Sequence, residues 1–220
     1  MEYGGETMTY CISDIHGDAA RFAALLDKIH FSDSDTLYVL GDVIDRGSHG
    51  VEILQYIKSS PPIQLLMGNH ERMCLDALGA HSVLGAKEIW KQNGGHSTYH
   101  HLVYRCTPVE RAELICFLEH LPTFVEIEVD GRAFHLVHGY PGDLHSRLWG
   151  RPTPGDPAPF HDRTTIIGHT PTCFLTNDFT TPCSVWFSSG VIGIDCGCGQ
   201  NSPLSRLAAL RLDDMHVYYI

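Results

Sequence analysis

Thr9-Tyr10-Cys11-Ile12-Ser13-Asp14-Ile15-His16-Gly17-Asp18, answered further on by Thr36-Leu37-Tyr38-Val39-Leu40-Gly41-Asp42-Val43-Ile44-Asp45-Arg46-Gly47, is the part of the chain that decides its fold. Each half is a short apolar run that breaks off in a turn carrying glycine and carboxylates. A run of this length bounded by turn residues reads as a strand. Between the two, Ala20, Phe22, Ala23, Leu25, Leu26 and Ile29 recur at helical spacing.

The same alternation continues outward. Val51, Ile53, Leu54 and Ile57 suit a second helix, and Ile63 to Met67 a third strand. Pro108 to His120 reads as a helix, with Pro108 at its start and Pro122 just beyond its end. Strand-length runs then dominate: Phe124 to Val129, Ala133 to Val137, Thr165 to Ile167, Val191 to Ile194, and a last pair, Leu207 to Leu212 and His216 to Tyr219, around an Asp213-Asp214 turn. Helices early and strands late predict an α/β fold with mixed sheets and helices packed outside. There is no internal repeat. The one Pro/Gly-rich stretch, Arg151 to Pro159, is too short for a linker, so residues 1–220 are expected to form one domain.

Composition narrows the function. No apolar run approaches the length that spans a bilayer, and Met1 to Thr7 lacks the basic flank and apolar stretch of an export signal. A cytoplasmic protein with no membrane partner is expected. The formal net charge of −11 repels polyanions, which argues against nucleic acid as a partner. A small phosphate substrate stays compatible with that charge, because bound divalent cations reverse the field locally. The eight cysteines (Cys11, Cys74, Cys106, Cys116, Cys173, Cys183, Cys196 and Cys198) are scattered. They read as reduced thiols; Cys196 and Cys198 are the one close pair, without a second pair at zinc-site spacing.

The chemistry follows the strands. Asp14 and His16 follow the first, Asp42, Asp45 and Arg46 the second, and Gly68-Asn69-His70-Glu71 the third. Val137-His138-Gly139 and Gly168-His169-Thr170-Pro171 follow later ones. Ligands collect outside the carboxyl ends of strands in open α/β sheets, so five strand ends deliver one polar constellation. Oxygen and imidazole donors without thiolate suit Mn, Fe, Zn or Mg. A carboxylate shared by two such ions would make a hydrolytic two-metal centre.

In this order the segments resemble the G-D-x-H-G, G-D-x-x-D-R-G, G-N-H-E, H-G and G-H-T motifs of the phosphoprotein phosphatase family of metallophosphoesterases, in particular its small bacterial and phage-type members. Asn93-Gly94-Gly95, Trp149-Gly150-Arg151 and Ile194-Asp195-Cys196-Gly197 also look like that branch. The resemblance covers residues 8 to 200. It implies a calcineurin-like sandwich of two mixed β-sheets flanked by helices. It also implies a centre of two divalent ions, manganese first, with Asp14 and His16 on one, Asn69, His138 and His169 on the other, and Asp42 bridging. On the same likeness His70 is the general acid, Asp45 orients it, and Arg46 and Arg151, with Asn69, bind the phosphate. The implied reaction is hydrolysis of a phosphomonoester by a hydroxide shared between the ions, in a protein serine/threonine phosphatase.

The runner-up is a dinucleoside polyphosphate hydrolase acting on diadenosine tetraphosphate. A nuclease fits less well, because Pro171 stands where wider metallophosphoesterases carry a second histidine. A non-catalytic binding module on the same fold should have lost ligands, and none is missing. Two positions depart from the pattern. Ser13 replaces a glycine, a change expected to be neutral. Met67 replaces an arginine; it is expected to line the pocket wall, with Arg72, Arg147 or Arg163 as candidates to supply the lost contact. Glu71 is given a supporting role, and Trp149 one in packing. His100, His101, His120, His145, His161 and His216 are read as surface or loop residues.

Overall fold

The computed structural model describes residues 7–220. The reading of Met1 to Thr7 as free of an export signal therefore falls almost wholly outside the described residues. Two five-stranded sheets lie face to face. The first has the order β10-β9-β1-β2-β3 and the second β4-β5-β6-β8-β7. In the first, β1 (Thr9–Ile12), β2 (Thr36–Val39) and β3 (Ile63–Leu65) are parallel, while β9 (Ala208–Arg211) and β10 (Val217–Tyr219) are antiparallel. In the second, β5 (Arg132–Val137), β6 (Thr164–Ile167) and β8 (Val191–Gly193) are parallel. The strands β4 (Phe124–Val129) and β7 (Trp186–Ser188) pair antiparallel at its edges. Both sheets are mixed, as expected.

Strand alternation builds the layers. Side chains point to opposite faces at successive residues. Cys11, Tyr38 and Leu40 accordingly meet Phe134, Leu136, Ile166 and Ile192 in the core between the sheets. Tyr10, Ile12, Leu37 and Val39 face the other way and pack with Phe22, Leu25, Val51 and Leu54 from α1 (Ala19–Lys28) and α2 (Gly50–Ser59). Asp18 starts α1 by accepting from the Arg21 amide at 3.0 Å. The predicted helix after Pro108 runs Pro108–Glu119; Thr107 caps it and Glu110 folds back onto the Thr107 amide at 2.8 Å.

The main departure is the region between Asn69 and Tyr104, where a helix is expected only after Glu71. It forms α3 (Asn69–Leu78), α4 (Ala86–Trp90), a π-helical turn (Lys91–Gly95) and α5 (His96–Tyr104). The first turn of α3 is Asn69, His70 and Glu71, all buried. Its polar residues face inward, which hides the apolar stripe that normally announces a helix. Later come α6 (Pro108–Glu119), α7 (Leu144–Trp149) and α8 (Thr172–Thr176). Among the described residues no helix is long and apolar enough to cross a membrane.

This topology brings the carboxyl ends of six parallel strands to one rim. Backbone bonds lace the turns together: Asp14 N donates to Gly41 O (3.2 Å), His16 N to Asp42 O (2.9 Å) and Gly168 N to His138 O (2.9 Å).

Candidate metal centre

The turns at this rim are held in an unusual backbone state. Asp14, His16, Asp42, Asp45, Arg46 and His169 all have positive φ, between 48° and 72°. Each such residue costs about 1 kcal/mol or more. Six of them around one cavity mean that stability has been given up to aim these side chains.

Asp42 lies at the centre. Its Oδ2 is 3.7 Å from His16 Nε2 and 3.9 Å from His70 Nε2, while its Oδ1 is 3.4 Å from His138 Nε2. One carboxylate thus turns one oxygen toward each of two donor groups. On one side are His16 and Asp14, with Asp14 Oδ1 3.9 Å from His16 Nε2. On the other are His138, Asn69 and His169; Asn69 Oδ1 is 2.9 Å from His138 Nε2, and His169 joins Asp42 and His138 in a group close enough to share an ion. The His169 amide donates to Asp14 Oδ2 at 3.0 Å, tying the two sides together.

The tautomers show what is missing from a purely protein account. His138 Nδ1 donates to Leu40 O at 2.6 Å and His16 Nδ1 to Ile44 O at 3.1 Å. A neutral imidazole carries one N–H, so both Nε2 atoms present lone pairs. Lone pairs of His138 Nε2, Asn69 Oδ1 and Asp42 Oδ1 then converge with no hydrogen between them. Buried His169 Nε2 has no hydrogen-bond partner at all. Burial opposes charging these rings: it drives His16 down to about 3, and His169, also next to His138, to about 3. Converging acceptors with no hydrogen between them are the donor set of a cation. These residues fit two divalent ions, with Asp42 able to serve both.

The carboxylates respond to the same crowding. Burial pushes the Asp14 carboxyl up, and the Asp42 charge adds to it. Burial works against the Asp42 charge too, but His138, His70 and His16 hold its carboxyl below the usual range.

Beside this centre is a dyad. His70 Nδ1 is 2.7 Å from Asp45 Oδ2, and Nε2 faces the cavity 3.4 Å from Arg46 Nη2. Burial opposes the His70 charge, yet Asp42 and then Asp45 raise its pKa to about 9. A cavity of about 730 Å³ opens over the site; Asp14, Asp42, Arg46, Asn69, His70, Arg151 and His169 are among its lining residues. Arg151 Nη1 also donates to Thr170 Oγ1 at 3.4 Å.

Residues 8–192 match the calcineurin-like phosphoesterase family. This chain belongs to that family. As a metallophosphoesterase it is a hydrolase of phosphoric ester bonds, built on the sandwich its motifs implied. A serine/threonine-protein phosphatase 2 of Salmonella typhimurium is 30% identical over 153 residues, covering 64% of this chain and 67% of that one. A symmetrical bis(5'-nucleosyl)-tetraphosphatase of Buchnera aphidicola is 37% identical over 87 residues, which is 39% of this chain and 30% of the relative. The chain thus spans under a third of that relative's length. The fold alone is shared with a Saccharomyces cerevisiae protein serine/threonine phosphatase similar to human phosphatase PP5. That likeness has a TM-score of 0.66 at 15% identity, over 99% of this chain and 80% of that one.

Around the metallophosphoesterase site the structure adds residues that the motifs left without a role. Glu71 does more than start α3. Its carboxylate accepts from the amides of Asp42 (2.8 Å), Val43 (2.9 Å), Ile44 (3.3 Å) and Gly68 (3.1 Å). It clamps the turn that presents Asp42. Burial, then the Asp42 charge, raise its pKa to about 7. Gly68 is needed there because a Cβ would collide with Asp42. Trp90, fully buried, donates Nε1–H to the same Asp45 Oδ2 at 2.7 Å. Gly94, at φ 101°, accepts the Arg46 amide at 3.0 Å, and a Cβ would meet the Arg46 side chain. Asn93-Gly94-Gly95 therefore seats Arg46 and Trp90. Asp195 ends the sixth strand and lines the cavity; burial and then Asp14 push its carboxyl well up. The Ser13 hydroxyl, which a glycine would lack, donates to Asp14 Oδ2.

Trp90→Phe keeps most of the ring but deletes one hydrogen bond to a charged group, worth about 1.5–3 kcal/mol. Hydrolysis of a phosphoserine peptide should fall at least about tenfold, and the melting temperature by about 3 °C or more. Steady-state kinetics check this; full activity would show that Asp45 needs no second donor.

Met67 corrects an expectation. Its side chain is 6% exposed and packs in the helix-side core, not on the cavity wall. Nor do Arg72, Arg147 or Arg163 replace the absent arginine. They are engaged by Asp76 (2.8 Å), by Gly142 O (2.9 Å) with Thr123, and by Glu126 (2.6 Å) with Asp162. Met67→Arg should therefore bury an unpaired charge and cost about 3 kcal/mol or more. That is a fall of at least about 5 °C in melting temperature, without tighter phosphate binding. Unchanged melting with stronger inhibition by phosphate would contradict this placement.

The remaining histidines read as surface residues are exposed, except His101, which is half-buried in α5. Trp149 packs against the core, as expected, and also lines the cavity, stacked on His145 at 5.4 Å. All eight cysteines are free.

Proposed function

We propose that this chain is a cytoplasmic, manganese-type phosphomonoesterase that removes phosphate from serine and threonine side chains, one catalytic domain over residues 1–220. The cytoplasmic part rests on eight free thiols, which suit a reducing compartment. The substrate part rests on one observation, the His70–Asp45 dyad. An alkoxide is a poor leaving group and needs a proton as it departs, whereas a nucleotide leaves as a phosphate anion without one. A histidine held ready to donate is built for the first kind of bond.

Asp14, His16, Asp42, Asn69, His138 and His169 would hold the divalent ions, which would supply Lewis acidity and lower the pKa of an attacking water. Arg46 and Arg151, both lining the cavity, bind phosphoryl oxygens with a planar fork suited to two oxygens at once. Asn69 offers its side chain to the same group. Asp45 accepts from His70 Nδ1–H and fixes the ring, so that the proton on Nε2 points at the leaving oxygen. Trp90 holds Asp45, and Glu71 holds the Asp42 turn.

The symmetrical tetraphosphatase relatives give the rival substrate. Phosphoserine and phosphothreonine peptides and diadenosine tetraphosphate, assayed at one manganese concentration, separate the two. The peptides should show the higher kcat/KM. A clear preference for the tetraphosphate would overturn this assignment.

A further inference from the structure

We infer that the outer wall of the cavity makes this enzyme select phosphorylated residues flanked by apolar side chains and reject those flanked by acidic ones. The inference deepens the phosphomonoesterase reading above and rests on it.

The leaving group departs past His70. Three and six residues farther along α3 stand Met73 and Asp76, both lining the cavity. Beyond them the wall is Val83 and Ile89, and Phe174 faces the cavity from the other side. Val83, Ile89 and Phe174 are 58%, 58% and 59% exposed. Apolar groups left that open beside a reaction centre are unsatisfied surface, which a bound substrate would cover. The cavity, about 730 Å³, is far larger than a phosphate alone requires.

Charge is distributed just as unevenly. Among the described lining residues the guanidinium groups are those of Arg46 and Arg151, and both lie at the metal end, beside His70 and Thr170. No further guanidinium is among the described lining residues of the outer wall; its charged group is Asp76, already paired with Arg72 at 2.8 Å. A second phosphate, or an aspartate next to the phosphorylated residue, would meet apolar surface and a carboxylate, with no unpaired cation to receive it. A leucine or phenylalanine there would bury against Ile89 and Phe174.

The test uses the full-length, manganese-loaded protein and two phosphothreonine peptides that differ only in the flanking residues, leucines in one and aspartates in the other. Covering one large apolar side chain is worth about a tenfold change or more in kcat/KM. The leucine peptide should win by at least that factor. Ile89→Ser and Phe174→Ala, at positions the fold leaves exposed, should shrink the ratio by raising KM for the leucine peptide. Asp76→Asn should raise kcat/KM for the aspartate peptide alone. Both peptides turned over at equal kcat/KM would sink the inference and leave the phosphomonoesterase reading intact. Neither turned over, with an aryl phosphate still hydrolysed, would remove the peptide reading and this inference together.

Discussion

His70→Asn should cut kcat/KM on a phosphoserine peptide by about 10²- to 10⁴-fold, the usual scale of a lost general acid. On an activated aryl phosphate the loss should be far smaller. The difference follows from the dyad geometry. Asn cannot carry the proton that Asp45 holds on the His70 ring at 2.7 Å, and only the serine alkoxide needs that proton. Steady-state kinetics on both esters at saturating manganese decide it. Equal losses would mean that the His70 ring serves another purpose, such as holding the Asp42 carboxylate, whose Oδ2 is 3.9 Å from Nε2; the backbone amide that donates to Asp42 at 3.0 Å survives the substitution and is not tested by it.

Asp42→Asn should have the larger effect on the ions. An amide keeps the shape but loses the charge and turns one lone-pair oxygen into a donor. That donor would face His16 Nε2 or His138 Nε2, now 3.7 and 3.4 Å from the carboxylate. Binding of both ions should weaken together, and hydrolysis should fall by more than about 10²-fold, the scale set by removing one charge-stabilising group. Equilibrium dialysis with manganese reads the first effect. Two ions retained at wild-type affinity with near-normal turnover would remove Asp42 from its central place.

The ten site residues expected from the motifs all come to one rim, because nine of them follow a strand and strand ends converge in this architecture; Arg151 arrives instead from the end of α7. What stayed hidden was what reaches the site from elsewhere. Trp90 lies 45 residues from Asp45, and nothing in local spacing announces a bond of that range. Asn93-Gly94-Gly95 stood out in the sequence but without a role; its place in the π-helical turn Lys91–Gly95 supplies one, and the glycine pair was the signal of close backbone approach. Asp195 had a signal too, since it follows Val191 to Ile194 as the other site residues follow their strands. Met67 misled because motif position was taken for side-chain direction. It follows β3, where alternation and the bend toward α3 turn the side chain into the core.

The account stands on a centre that needs two ions. Protein stripped by a chelator and then given manganese in known equivalents, with bound metal and peptide hydrolysis followed together, tests that most directly. Turnover should be absent at the start and reach its plateau as bound manganese reaches two per chain. Full turnover in the stripped protein, or a plateau at one bound ion, would contradict it.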